Sequence, residues 1–167
     1  SGAGGSIGSE IVRQLLENNP KTIIIFDVSE FNLFKIEREC LAIKQSKKLQ
    51  TEIIPILGDV RDYSHLDSLF QKYTINYVYH AAAYKHVPLV EDVNNITKAC
   101  ENNILGTYNL ASISIEKNIE SFVMISTDKA VRPSNIMGAS KRMAEIIVQS
   151  LNSQSSSTKL SMVRFGN

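Results

Sequence analysis

Ser126-Thr127-Asp128-Lys129 sets a hydroxyl, a carboxylic acid and an amine side by side, directly after the apolar run Phe122-Val123-Met124-Ile125. Met137 follows ten residues after Thr127, and Lys141 four residues after Met137. At i and i+4 those two side chains share one face if the stretch is helical. Acid, amine and hydroxyl at a strand end are the parts needed for proton transfer. Met137 has no proton to give or take, so its place in the group needs explaining.

A second group lies at the start of the chain. Gly2, Gly5 and Gly8 form Gly-x-x-Gly-x-x-Gly ahead of a helical pattern carrying Ile11, Val12, Leu15 and Leu16. Gly2 suits a tight turn, Gly5 lets backbone N–H groups approach a pyrophosphate, and Gly8 allows close helix packing. The first helical N–H groups, at Ser6, Ile7 and Gly8, then face the phosphate charge. Asp27 ends the next apolar run nineteen residues after Gly8, where a carboxylate accepts hydrogen bonds from adenosine ribose hydroxyls. An acid there repels a 2′-phosphate and favours NAD over NADP. The alternative for Asp27 is the cap of a turn or helix. Asp59 and Val60 fit an adenine contact. The small side chains Ala81, Ala82 and Ala83 leave room for a dinucleotide against a strand end, or serve packing alone.

These residues need elements to hold them. Thr22–Phe26, Glu52–Leu57, Tyr77–Ala81, Ser121–Ile125 and Leu160–Phe165 read as strands, with Pro55 placing the second at or near a sheet edge. Between them, helical patterns run over about Ser29–Lys47, Asp62–Lys72, Asn94–Glu116 and Ile136–Leu151. In the first of these, Phe31, Phe34 and Leu41 form a repeating face, with Ser29 as N-cap. Strands apolar on both faces, alternating with helices, predict an α/β fold: a doubly wound, Rossmann-type parallel sheet. Residues 1–167 read as a single NAD-binding domain. The glycine turn normally follows a buried strand that would be central in such a sheet. The expectation is therefore a fragment that lacks its first strand and a C-terminal substrate domain, with the strands at Ile23 and Val78 each short of one neighbour.

Composition sets limits. The chain is 43% hydrophobic and 21% charged with a net charge of +1, which argues against broad electrostatic binding of nucleic acid or anionic membrane. No apolar run reaches a membrane span of about 20 residues, so no membrane contact is expected from these residues. Cys40 and Cys100 read as two reduced thiols of a cytosolic domain. His65, His80 and His86 lack zinc-site spacing, and no metal is expected.

The segments Gly2–Glu10, Phe26–Leu33, Gly58–Asp62, His80–Glu91, Asn102–Thr107, Ser126–Lys141 and Val163–Asn167 resemble the extended short-chain dehydrogenase/reductase superfamily. Within it they are most similar to the UDP-N-acetylglucosamine 4,6-dehydratases of bacterial glycan and polysaccharide biosynthesis, of the larger, membrane-associated, configuration-retaining type. The resemblance implies a tightly held NAD, a UDP-sugar substrate and a reaction that is redox-neutral overall: oxidation at C4, loss of water across C5–C6, and hydride return to C6. It implies Asp128 as general acid for the 6-hydroxyl, with a carboxyl pKa raised by desolvation when the site closes, and Lys129 as base at C5. Thr127 would bond the sugar 4-hydroxyl and Lys141 would grip the nicotinamide ribose. Lys85 would reach the cofactor phosphate or nicotinamide side, and the substrate, unless it is simply exposed. Asn103 would order the site or touch substrate, with the ordering role favoured, and Asn167 would contact substrate.

Met137 occupies the position where most short-chain dehydrogenases carry a tyrosine. Three readings stay open: a dead site, replacement by Tyr84, or deprotonation of the 4-hydroxyl by the Asp128–Lys129 pair with Met137 packing near sugar and nicotinamide. A 4-epimerase or reductase, and a silent NAD-binding module, are the rival functions. Homo-oligomerisation is open. The expected location is cytoplasmic, at the inner face of the inner membrane if transmembrane segments lie outside these residues.

Overall fold

Val12 and Leu16, one helical turn apart, give the first helix, α1 (Ser6–Glu17), a buried stripe that also includes Gly8. It belongs to the first of two compact units, Ser1–Asp59 and Val60–Asn167; the computed structural model describes residues 1–155 and 157–166. In this unit β1 (Thr22–Asp27) and β2 (Glu52–Leu57) pair in parallel, from Thr22 opposite Glu52 to Asp27 opposite Leu57. Pro55 lies opposite Ile25. β2 has β1 as its sole partner among the described strands, the edge position that a residue without an N–H requires.

Between the strands runs α2 (Glu30–Lys47), whose N-cap Ser29 accepts from the Asn32 N–H at 3.3 Å and which ends at Lys48 in the left-handed region. Its buried face is Leu33, Ile36 and Cys40, packed with Ala3, Val12, Leu16, Ile23 and Ile25. The expected stripe of Phe31, Phe34 and Leu41 is instead exposed. Both stripes have helical spacing, but the aromatic one carries Arg38 in line, and burying it would strand a guanidinium. The aliphatic stripe carries no charge at its centre.

The second unit is built on three parallel strands in the order β3 (Tyr77–His80), β4 (Ser121–Thr127), β5 (Lys159–Phe165). β4 is central and buries Phe122, Met124 and Ser126 in alternation. It runs two residues beyond the expected end, so Thr127 is its last residue. Before β3 comes α3 (Tyr63–Lys72), whose N-cap Asp62 accepts from the His65 N–H at 3.0 Å. After β3, residues 81–86 lead into a short helix that the sequence reading missed, α4 (Val87–Val90), with Pro88 in its first turn.

The long helix expected over Asn94–Glu116 is broken. α5 (Ile96–Cys100) gives way to a π-helical segment (Glu101–Leu105) before α6 (Gly106–Glu116). The π segment holds two buried polar side chains, Asn102 and Asn103, whose hydrogen bonds compensate for the wider turn. Beyond β4, a 3-10 turn (Asp128–Ala130) leads to α7 (Ile136–Gln154), capped by Asn135 accepting from the Gly138 N–H at 2.7 Å. The buried face of α7 includes Met137, Ser140, Lys141, Ala144, Glu145 and Val148. Cys40 and Cys100 are free thiols, the first fully buried. No helix of the described residues is long and apolar enough to cross a membrane.

Candidate active site

In the first unit, Gly2 takes a φ of 69°, and its carbonyl accepts from the Gly5 N–H at 3.1 Å. A Cβ on Gly8 would stand 1.8 Å from the Gly2 oxygen. Gly8 is thus required by the turn itself. Gly4 was not singled out from the sequence, yet a Cβ there would meet the backbone of Asn32 on α2 at 2.7 Å. The signal was the doubled Gly4-Gly5 where the motif needs one glycine.

Asp27 is buried. Its Oδ2 accepts from the Gly4 N–H at 2.8 Å and its Oδ1 from the Ser29 N–H at 2.9 Å. The carboxylate therefore braces the glycine turn and the entry to α2, and each oxygen keeps capacity for a further donor. Gly5 caps α1 without a side chain, and no acidic residue stands in the first turn. The N–H groups of Ser6, Ile7 and Gly8 begin the helix, at its positive end, with no acidic side chain from its own first turn against them. These features fit the phosphates and ribose of a dinucleotide. Asp59 closes this unit.

The proton-transfer residues lie in the second unit. Thr127 Oγ1 donates to Asp128 Oδ1 at 3.0 Å and accepts from the Lys129 N–H at 3.3 Å. Lys129 Nζ is 3.7 Å from Asp128 Oδ1. The Thr127 hydroxyl, with Lys129 adding to it, holds the Asp128 carboxyl below the usual carboxylate range. The rise expected of this carboxyl depends on desolvation when the site closes; here the Asp128 side chain is 52% exposed, so desolvation is too weak to oppose these partners. Gly138 sets the turn against α7, since a Cβ there would be 2.3 Å from the Lys129 carbonyl oxygen.

Lys141 is buried and its Nζ donates to the Ile125 carbonyl at 2.8 Å. Burial lowers its pKa to about 8, with Glu145 opposing the shift. Met137 is also buried, but its neighbours are Val90 and Ala99, with Val87 and Ile136 beside them. It forms a small apolar core with these residues of α4, α5 and α7. Tyr84 and Lys85 are exposed, Ala81, Ala82 and Ala83 are half-buried, and Val60 is buried.

Asn103 spends its whole side chain inside the protein. Its Oδ1 accepts from the Tyr84 N–H at 2.8 Å and from Asn102 Nδ2 at 3.1 Å, and its Nδ2 donates to the Tyr84 carbonyl and to Ser140 Oγ, both at 3.0 Å. A side-chain amide has two donors and two acceptor positions, so nothing remains for substrate. Asn103 is an organiser, tying the loop after β3 and the π segment to α7. Its carbonyl also accepts from the Thr107 hydroxyl at 2.7 Å, leaving Thr107 Oγ1 to accept from His80 Nε2 at 3.0 Å. Burial, then Lys141, keeps the His80 pKa well below its ordinary value. Asn167 lies outside the described residues. Among the described residues no cluster of His, Cys, Asp and Glu could hold a metal ion.

Residues 1–167 match the family described as polysaccharide biosynthesis protein. The chain is 46% identical over 167 residues to the capsular polysaccharide biosynthesis protein CapD of Staphylococcus aureus, covering all of this chain and 27% of that protein. It is 47% identical over 169 residues to the probable polysaccharide biosynthesis protein EpsC of Bacillus subtilis, with the same coverage. The X-ray structure of Pen from Bacillus thuringiensis superposes with a TM-score of 0.85 at 34% identity, over 99% of this chain and 50% of that one. The chain thus spans about a quarter of those two curated relatives. The likeness runs to Rossmann-type, extended short-chain dehydrogenase/reductase structures.

Proposed function

The chain belongs to the polysaccharide biosynthesis protein family, and on that premise we propose that the intact protein is an NAD-dependent UDP-N-acetylglucosamine 4,6-dehydratase. Its product would be the UDP-4-keto-6-deoxy sugar, made in the cytoplasm for bacterial glycan or polysaccharide assembly, by an enzyme that can form homo-oligomers. The observation behind this reading is the turn after β4, where a carboxyl and an amine stand 3.7 Å apart beside a hydroxyl. Expelling a 6-hydroxyl needs an acid at that oxygen and a base at C5, and simple redox relatives need neither as a pair.

NAD, when bound, would supply the hydride acceptor and donor. Ser6, Ile7 and Gly8 would meet its phosphates, Asp27 and Asp59 its adenosine, and Lys85 and Lys141 its other half. Thr127 would bond the sugar 4-hydroxyl. In doing so it would turn its proton away from Asp128, remove the strongest influence holding that carboxyl down, and let closure raise the pKa to where an acid works. Lys129 would take the C5 proton. Lys141, anchored on the Ile125 carbonyl, would place a cation under the ribose. With Met137 enclosed in a core, deprotonation of the 4-hydroxyl falls to the Asp128–Lys129 pair or a water that it orders.

The test is to incubate the full-length enzyme with UDP-N-acetylglucosamine and NAD and follow mass. A product lighter by one water supports the proposal; a product of unchanged mass refutes it. A second reading is a nucleotide-sugar 4-epimerase. It is favoured by the Thr127 hydroxyl and the Lys129 amine that stand on the Asp128 carboxylate, because epimerisation needs no acid at C6, and it predicts the unchanged mass.

A further inference from the structure

Glu145 stands one helical turn beyond Lys141 and has no part in the chemistry just proposed. It is fully buried, and its carboxylate accepts four hydrogen bonds. Ser126 Oγ at 2.7 Å and Arg164 Nε at 2.8 Å donate to Oε1; Arg164 Nη2 at 2.6 Å and Arg142 Nη1 at 3.0 Å donate to Oε2. Every acceptor position of an ionised carboxylate is filled. Burial pushes the Glu145 carboxyl up, but Arg164, Ser126 and Arg142 outweigh it and hold the pKa at about 2.

The donors come from three elements. Arg142 belongs to α7, Arg164 to β5 and Ser126 to the end of β4, and Ser126 and Arg164 are partners in the strand register. Glu145 is buried while Arg142 and Arg164 stay 40% and 41% exposed, and such pairs add little net stability, because burying the carboxylate offsets the attraction. What this one does supply is geometry. Ser126 directly precedes Thr127, and the residue before it, Ile125, gives its carbonyl to Lys141. Helix α7 therefore grips the last turn of β4 at two successive residues, through Lys141 on a backbone oxygen and Glu145 on a side-chain hydroxyl.

We infer that Glu145 is a positioning residue: with Lys141 it clamps the end of β4 to α7 and so fixes where Thr127, Asp128 and Lys129 stand. The chemical consequence rests on the dehydratase reading; the clamp does not. Full-length protein with Ser126→Ala, Glu145→Gln or Glu145→Asp is compared with the unaltered protein for kcat and KM on UDP-N-acetylglucosamine, and for amide hydrogen exchange at residues 127–129. Ser126→Ala should lower kcat roughly tenfold and Glu145→Gln roughly 100-fold, with KM within about twofold and faster exchange in both. Glu145→Asp keeps the charge and should recover part of the loss. Ser126→Ala leaves both arginine pairs intact, so it decides the matter if Glu145→Gln does not fold. Unchanged kcat and exchange in folded Ser126→Ala would overturn the clamp, as would lost turnover with unaltered exchange. If the unaltered protein forms no 4-keto product, the dehydratase reading falls and exchange alone decides the clamp.

Discussion

Lys129 and Lys141 carry the same functional group and stand in opposite surroundings. Lys129 is partly exposed at a turn, while Lys141 is enclosed and anchored on the Ile125 carbonyl. If Lys129 is the base at C5, Lys129→Ala should cut turnover about 10²–10⁴-fold while a dye-based titration shows NAD affinity unchanged. Retained turnover would remove the assignment. For Lys141 the prediction concerns stability. Its folded pKa is about 8 against an ordinary 10.5, so the unfolded chain keeps its proton to higher pH. This group therefore makes stability rise with pH between about 8 and 10.5, by on the order of 3 kcal/mol. Cys40, pushed up to about 11 by burial, acts in the opposite sense over an overlapping range. Urea midpoints of native and Lys141→Met protein across pH 7–11 isolate the lysine, because Cys40 is common to both. Parallel curves would refute the shift.

At the scale of elements, the site depends on joints that lack freedom to adjust. The turn after β4 touches α7 where Gly138 has no side chain, and a Cβ there would be 2.3 Å from a backbone oxygen. Backbone cannot swing aside as the end of a flexible side chain can. Gly138→Ala should therefore cost about 1–3 kcal/mol in denaturant unfolding, with a kcat loss larger than that destabilisation explains. Wild-type stability and kcat would show that the turn yields easily. The break in the long helix has the same character. Hydrophobic periodicity over 94–116 reads as one helix because a π turn shifts the pattern by a single residue. It accompanies the four-bond network of Asn103 with Tyr84, Asn102 and Ser140, and of those partners Tyr84 and Ser140 are distant in sequence.

For the whole molecule, the testable property is cofactor choice. Asp27 presents a carboxylate beside the glycine turn, which should favour a ribose hydroxyl and repel a 2′-phosphate. In the full-length protein, NAD should raise Tm more than NADP does at equal concentration. Asp27→Asn should narrow that gap, losing about 2 kcal/mol of NAD binding. An unchanged gap would assign Asp27 to bracing the loop alone. The parallel strands, the edge position of β2, the cap at Ser29 and the glycine turn were all legible in the chain, because local chemistry specifies them. Proline cannot donate, a short hydroxyl or carboxylate caps a helix, and glycine alone fits a tight turn. The candidate trio at 127–129 was legible for the same reason, as neighbours in sequence. Which stripe of α2 is buried, that Met137 joins a core with Val90 and Ala99, and that Asn103 has no capacity left were decided only by tertiary structure. Each depends on partners and solvent exposure brought about by folding, and burial and electrostatic field are properties of the packed chain.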